Sequence, residues 1–581
     1  MRSTSRWIDA AIIAVVTFII ASLSRRWPGF NSPDSEFYAS LALYGSDVVD
    51  RAIEPAYIWT RLGYIAPVRV LVTSVGPWLG FEIWRILLIA IIATSVYAMV
   101  HVAGRPRALG AALALFTGLN TVLLSYVGNT YLSGTAMAAT FLVIALGVTQ
   151  LGSAAAQGRG LFSGPRWITG GAIGAVLGWI VMTNPYTAIL AGGTWIAIRL
   201  VVLIKLRTDR WKRLIIDAVA AAIGFVVSFG AFLIAGMLIF PGRNWLATYL
   251  EWNSRLDYTV FIGDPTTWQR DTGLLVLVIA VLAAAIASAA LPARRWSWAA
   301  LAISGATIAV TVVLMVAFTG PWLESPTYVA MLFPGALSAL ALVFIAATPG
   351  THEDQHPAWW VPASAALIVA PLLVWSGRYE GVLGQYRGWA IAGVMVAVLA
   401  VLVIVVRSQP RFTALTGALL VLALAVTYTG AQLLQNGRGI LGIYGQYPFA
   451  AAYLDFNGRE QMAAKIEVQQ WLLDRTDATD AIAIWTDPAG LGASTAAMQM
   501  WGGDNLVTLD ATLDRNTTTR LEQIRPTAIA MYAPTQPEID AFYASLPPWS
   551  LPSPLECITV PFPVVASQQM HACLTHLRWV G

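Results

Sequence analysis

The sequence predicts a polytopic α-helical membrane protein that ends in a small α/β domain outside the bilayer. Three observations predict it. Of 581 residues, 57% are hydrophobic and only 11% are charged, whereas a water-soluble chain carries roughly 25% charged residues. Apolar runs near the ~20 residues needed to cross a bilayer recur along the first three quarters and then stop. Beyond about residue 431 the sequence turns polar and alternates helix-like with strand-like stretches.

The apolar runs place spans at about 7–24, 79–101, 108–126, 134–152, 167–183, 187–204, 214–240, 273–291, 297–318, 329–347, 360–376, 389–406 and 413–431. That is about thirteen transmembrane helices. No A-x-A-like site follows the first run, so it reads as a retained span and not as a cleaved signal. Orientation follows from the basic residues. Alternate loops read "MRSTSR", "GRPR", "GRGLFSGPR", "KLRTDRWKR", "PARRW" and "RSQPRF", and all six fall on one side, which is then cytoplasmic, with "THEDQHP" at about 351–357 the exception there without Arg or Lys. An odd number of spans puts the N-terminus inside and the C-terminal domain outside.

The outward loop of about residues 25–78 holds "GFNSPDSEFYASLALYG", with Asp34, Glu36 and Tyr38 together in a chain where acidic residues are scarce. A helix-capping "SPDSE" turn is the plain reading of those acids; a catalytic base is the other. "EFYASLALYG" and "PVRVLVTSVG" are amphipathic and suit short helices on the membrane surface. Arg61 and Arg69 lie in the same loop, but Pro67 falls between them, so one shared helical face is not assumed. A second outward loop, about 241–272, interleaves aromatics with Arg255 and several carboxylates. Asn129, Tyr131, Asn184 and Tyr186 stand at outward span ends, where capping or interface anchoring competes with substrate contact.

The spans themselves are short of charge, Arg85 being the main exception, and no acidic residue stands near the middle of a span. An ion-coupled carrier commonly needs such groups, so the pattern points to chemistry at the outer surface. The net charge of +4 gives no reason to propose nucleic acid as a partner. In the tail, "GREQMAAKIEVQQWLLDRT" has helical spacing, while "AIAIWTD", "NLVTLD" and "PTAIAMYA" read as strands. Cys557 and Cys573 both lie there; an oxidising exterior favours a disulfide over two buried thiols.

The stretches "PDSEFYASLALYG", "RLGYIAPVRVL" and "SPTYVAMLFPGALSALALV", set in this topology, resemble the GT-C superfamily of integral-membrane glycosyltransferases. Members use polyprenyl-phosphate-linked sugars as donors. The acidic motif here is Asp-Ser-Glu, not the Asp-Asp or Asp-Glu pair of several subfamilies, and no Arg precedes "SPTY". The Trp-Trp-Asp signature of oligosaccharyltransferases is absent, which disfavours transfer to protein asparagine.

The resemblance implies a GT-C-like catalytic unit over residues 1–431, containing the 25–78 loop, and an extracytoplasmic α/β domain over 432–581. It implies an inverting hexosyl- or pentosyltransferase of bacterial plasma-membrane cell-envelope biosynthesis, acting on a glycan, glycolipid or protein hydroxyl. Asp34 is then the base that deprotonates the acceptor. Glu36 is the second choice, or orients the acceptor. Arg61 and Arg69, with Arg255, would meet the phosphate charge. Tyr38, Asn129, Tyr131 and Tyr328 would border the substrate. Any Mg²⁺, Mn²⁺ or Ca²⁺ would sit on Asp34 or Glu36. The competing readings are a flippase or exporter of lipid-linked sugars and a non-catalytic scaffold that presents the tail.

Overall fold

The computed structural model describes residues 33–45, 57–105, 107–118, 132–153, 166–201, 203–204, 211–242, 244–254, 272–291, 295–317, 331–347, 458–477, 480–486, 506–509, 521–523, 525–548, 550–561 and 569–579, with residues 11, 14, 15, 123, 127 and 519. The expected spans at 360–376, 389–406 and 413–431, and nearly all of 7–24, lie outside the described residues.

Two helices precede the first described span: α1 (Pro33–Tyr44) and, after a 3-10 turn at Tyr57–Thr60, α2 (Leu62–Val75). The bundle continues with α3 (Pro77–Val102), α4 (Arg107–Gly118), α5 (Leu132–Ser153), α6 (Arg166–Thr183), α7 (Pro185–Val201) and α8 (Trp211–Ile239). A short α9 (Trp245–Ser254) leads to α10 (Thr272–Ala290), α11 (Arg295–Ala317) and α12 (Phe333–Ala347). Helices α3 to α8 and α10 to α12 fall on the apolar runs read from the sequence. Among the described residues, four helical stretches are long and apolar enough to cross a membrane: Leu79–Val102, Leu132–Gly152, Leu214–Ile239 and Arg295–Leu314. The chain is a multi-pass membrane protein.

Packing inside a bilayer favours small residues, because lipid tails compete with any large apolar contact. The α6–α8 pair follows that rule. A Cβ on Gly174 would overlap the Ala221 carbonyl, and one on Gly224 would overlap the Gly171 carbonyl. On Gly178 it would stand 2.9 Å from Phe225 O, and on Gly170 3.0 Å from Asp217 O. Ile216, Val219, Ile223, Val226, Val227 and Ile234 of α8 are exposed among the described residues, as a lipid-facing side requires. Near the basic end of the bundle, Arg199 Nη2 of α7 meets Asp217 Oδ2 of α8 at 2.7 Å, with both side chains buried. Neither was singled out above; each stands alone in an apolar run. Arg85 is also buried and lies 3.8 Å from Glu82 one helical turn away.

The loop helices depart from the expected surface position. Residues 38–42 of α1 are all buried, so α1 is a core element and not a helix lying on the membrane. Helix α2 keeps a buried side (Val68, Val72) and an exposed one (Val70, Val75). It also runs through Pro67. Proline there lacks the N–H that would bond Gly63 O, and Trp179 Nε1 of α6 donates to that carbonyl instead, at 2.7 Å. Trp179→Phe is therefore expected to leave a buried carbonyl without a partner and destabilise the protein by about 1–3 kcal/mol. A lower thermal midpoint of the detergent-solubilised variant would register it.

After residue 457 the chain forms α13 (Gly458–Leu473), β1 (Ile482–Thr486), β2 (Leu506–Leu509), β3 (Ala528–Ala533), α14 (Gln536–Ala544), β4 (Ser550–Pro552), β5 (Glu556–Pro561) and β6 (Gln569–Trp579). The strands make one mixed sheet of order β2-β1-β3-β6-β4, with β5 also on β6. β1 runs parallel to β2 and β3, and β6 runs antiparallel to β3, β4 and β5. One face carries Ile482, Ile484, Ala528, Ala530 and Tyr532, which join the large core that also holds Val468 and Leu472 of α13. The other face packs Trp485 and Met531 against Ile539 and Phe542 of α14, the Trp485 and Phe542 rings stacking at 4.5 Å. Cys557 and Cys573 are direct partners across β5 and β6 and are joined by a disulfide.

Candidate functional site

Helix α1 packs on α2, and α2 packs on α3, α6 and α8. Pro33 opens α1 at its first helical position, where a missing N–H costs nothing. Asp34 and Glu36 thus stand in the first turn, where the helix dipole favours carboxylates. Their side chains lie outside the described residues, as do Asn129, Tyr131, Arg255 and Tyr328. Tyr38 comes one turn after Asp34 and is fully buried. An i, i+4 spacing puts those two residues on one side of α1.

From Tyr38 a row of rings runs into the bundle. Tyr38 meets Tyr64 edge-on at 6.2 Å, Tyr64 meets Trp84 at 6.5 Å, and Trp84 meets Trp179 at 6.2 Å. Tyr64 Oη and Trp84 Nε1 are buried and have no hydrogen-bond partner among the described residues. Buried donors are nearly always paired, so such a pair occurs where a water or a bound polar group completes the bonding.

Arg61, like Arg85, is a buried cation in this part of the bundle. Its carbonyl accepts from Tyr64 N at 3.0 Å and Ile65 N at 3.1 Å, which starts α2. The 3-10 turn before it is held by Trp59, stacked on Phe240 at 6.3 Å. Tyr249 of α9 feels the Arg61 charge. Burial pushes the Tyr249 phenol up to about 12, with Arg61 drawing it down and Tyr186 raising it. The Tyr249 hydroxyl donates to Val181 O at 3.2 Å. Asn184 caps α7: its Oδ1 accepts from Tyr186 N at 3.1 Å and Thr187 N at 3.4 Å. Its Nδ2, with the Thr187 hydroxyl, points to Met331 Sδ at 3.2 and 3.3 Å. That contact brings Met331, three residues beyond Tyr328 and two before α12, to the start of α7.

Arg69 has a different visible task from the phosphate contact the resemblance implied. Its Nη1 donates to Ala42 O at 3.3 Å and Leu43 O at 3.1 Å, the open carbonyls at the C-terminus of α1. Gly45 ends that helix at φ +57, and a Cβ there would stand 2.6 Å from the guanidinium carbon. Arg69→Ala is expected to cost about 1.5–3 kcal/mol, the range for a hydrogen bond to a charged group. Faster hydrogen–deuterium exchange over residues 41–45 is the measurement. Sequence reasoning missed Tyr64, Trp84 and Tyr249. Their only signal was an aromatic near a span end, which an interfacial belt produces equally well. Among the described residues, no three His, Cys, Asp or Glu side chains converge to hold a metal ion.

No protein-family model matches the sequence, and a search of curated proteins finds no match. Solved structures do match. ArnT from Cupriavidus metallidurans bound to undecaprenyl phosphate is 16% identical, with TM-score 0.51, covering 98% of this chain and 98% of that chain. The apo state of the same protein matches at 15% identity and TM-score 0.51, again over 98% of each. The chain shares its overall fold with that membrane protein.

Proposed function

We propose that the chain is an inverting glycosyltransferase that moves a sugar from a polyprenyl-phosphate donor to an acceptor hydroxyl on the extracytoplasmic side of a bacterial plasma membrane. The observation that carries the reading is the shared fold over 98% of both chains with ArnT, a protein whose structure holds undecaprenyl phosphate. The acceptor is an envelope glycan, a glycolipid or a protein hydroxyl. Residues 1–431 form the membrane catalytic unit, and 432–581 the outer domain.

In this reading the acceptor oxygen attacks the anomeric carbon from the side opposite the phosphate. The bond from that carbon to the phosphate oxygen breaks, and its electron pair leaves with the phosphate. Asp34 accepts the proton of the attacking hydroxyl. Arg61, buried at the same end, meets the charge that develops on the leaving phosphate, and its low-dielectric setting strengthens that contact. Arg255 would add to it from the second outward loop. Tyr64 Oη and Trp84 Nε1, without a hydrogen-bond partner among the described residues, would donate to sugar hydroxyls.

Protein reconstituted in liposomes with labelled polyprenyl-phosphate sugar and an acceptor tests the class. Transfer of label to acceptor with release of polyprenyl phosphate is expected. Label that changes leaflet while still bound to its lipid would replace this reading with the exporter.

A further inference from the structure

One helix of the C-terminal sheet region reaches the helix that carries Asp34. Ser40 and Tyr44 stand one turn apart on α1, and both are buried. Opposite them are Gln469 and Asp474, at and just beyond the end of α13. Gln469 is buried, and its Nε2 donates to Ser40 Oγ at 3.5 Å, the outer limit of such a bond. Burial raises the Tyr44 phenol, and the charge of Asp474 raises it further. Two polar atoms of this junction, Tyr44 Oη and Gln469 Oε1, are buried with no hydrogen-bond partner among the described residues. One is a donor and the other an acceptor.

α13 is itself tied to the sheet. Val468 and Leu472 are buried in the core that includes Ile482, Ile484 and Ala530, and Arg475 Nε meets Glu556 Oε2 of β5 at 3.1 Å. At this same C-terminal end α1 is also held by Arg69. The six helical steps from Asp34 to Ser40 span about 9 Å. A shift at the Ser40 contact is therefore carried rigidly to the first turn.

We propose that Gln469 is a positioning residue: α13 latches onto α1 through Ser40 and so sets where the first turn, and with it Asp34, stands. The C-terminal sheet region then governs turnover and not donor binding. This rests on the reading that Asp34 is the base.

The test is a double-mutant cycle in the full-length protein with Gln469→Met, which keeps the length of the side chain and removes its donors, and Ser40→Ala. Exposed Glu467→Gln on the same helix is the control. Two readouts are taken: hydrogen–deuterium exchange over residues 34–45 and steady-state kinetics with the lipid donor. The latch predicts exchange faster by about tenfold in each single variant, the double variant matching the singles, and the control matching the parent. It predicts kcat lower by about three- to tenfold with KM for the donor unchanged. Unchanged exchange over α1, or faster exchange with kcat intact, overturns it. Faster exchange in the two variants, with a parent protein that transfers no sugar, overturns the glycosyltransferase reading and leaves the contact between α13 and α1 supported.

Discussion

Asp34→Asn is expected to cut sugar transfer steeply while the protein stays folded and still binds the lipid donor. The amide is the same size as the carboxylate and can occupy the same place at the start of α1, but it does not take up a proton at neutral pH. General-base assistance contributes about 10²–10⁴-fold, so kcat should fall by that factor with little change in the donor KM. Glu36→Gln is the matched comparison: a smaller loss assigns Glu36 to orienting the acceptor. A loss of the same size in Glu36→Gln alone would move the base two residues along the helix. Because an acid at a helix N-terminus also favours the dipole, thermal stability of each variant must be read beside its rate.

The second large effect is on assembly. Gly174→Leu should prevent α6 and α8 from closing, because its new side chain meets the Ala221 backbone. Overpacking against movable side chains costs about 1–3 kcal/mol; here the obstacle is backbone, and the two helices must separate. Gly230→Leu, also on α8, provides the contrast, since nothing lies within 4 Å of a Cβ there. The first variant is expected to lose its monodisperse fraction after extraction in detergent, and the second to keep it. Equal behaviour of the two would refute the small-residue packing of this pair.

The bundle was legible because each span is one continuous apolar run: α5, α6, α8 and α11 need no tertiary information to be seen. In the tail, the strand character of "AIAIWTD" and "PTAIAMYA" was legible too, although the crossing that sets β1 between β2 and β3 has no local signal. What escaped the sequence depends on partners far along the chain. At Pro67 of α2, the Gly63 carbonyl that the proline leaves open is taken by Trp179, 116 residues from Gly63. Arg199 and Asp217 each sit alone among apolar neighbours, and only the approach of α7 to α8 turns them into a pair. Arg69 shows the same limit at the candidate site. A guanidinium suits a phosphate and the carbonyls of a helix end equally well, so residue type does not decide between them. The α1 helix was visible as a helix, but its burial was not, since that comes from α2 on one side and α13 on another.

The most direct measurement is a cryo-EM structure of the protein with undecaprenyl phosphate bound. The account predicts phosphate density at the α1 end of the bundle, in contact with the Arg61 guanidinium at about 2.7–2.9 Å, the usual range for a charge-assisted N–H···O bond. It also predicts that the first turn of α1 faces the same space. Phosphate density at the opposite, basic end beside Arg199, or far from both Arg61 and Asp34, would contradict it.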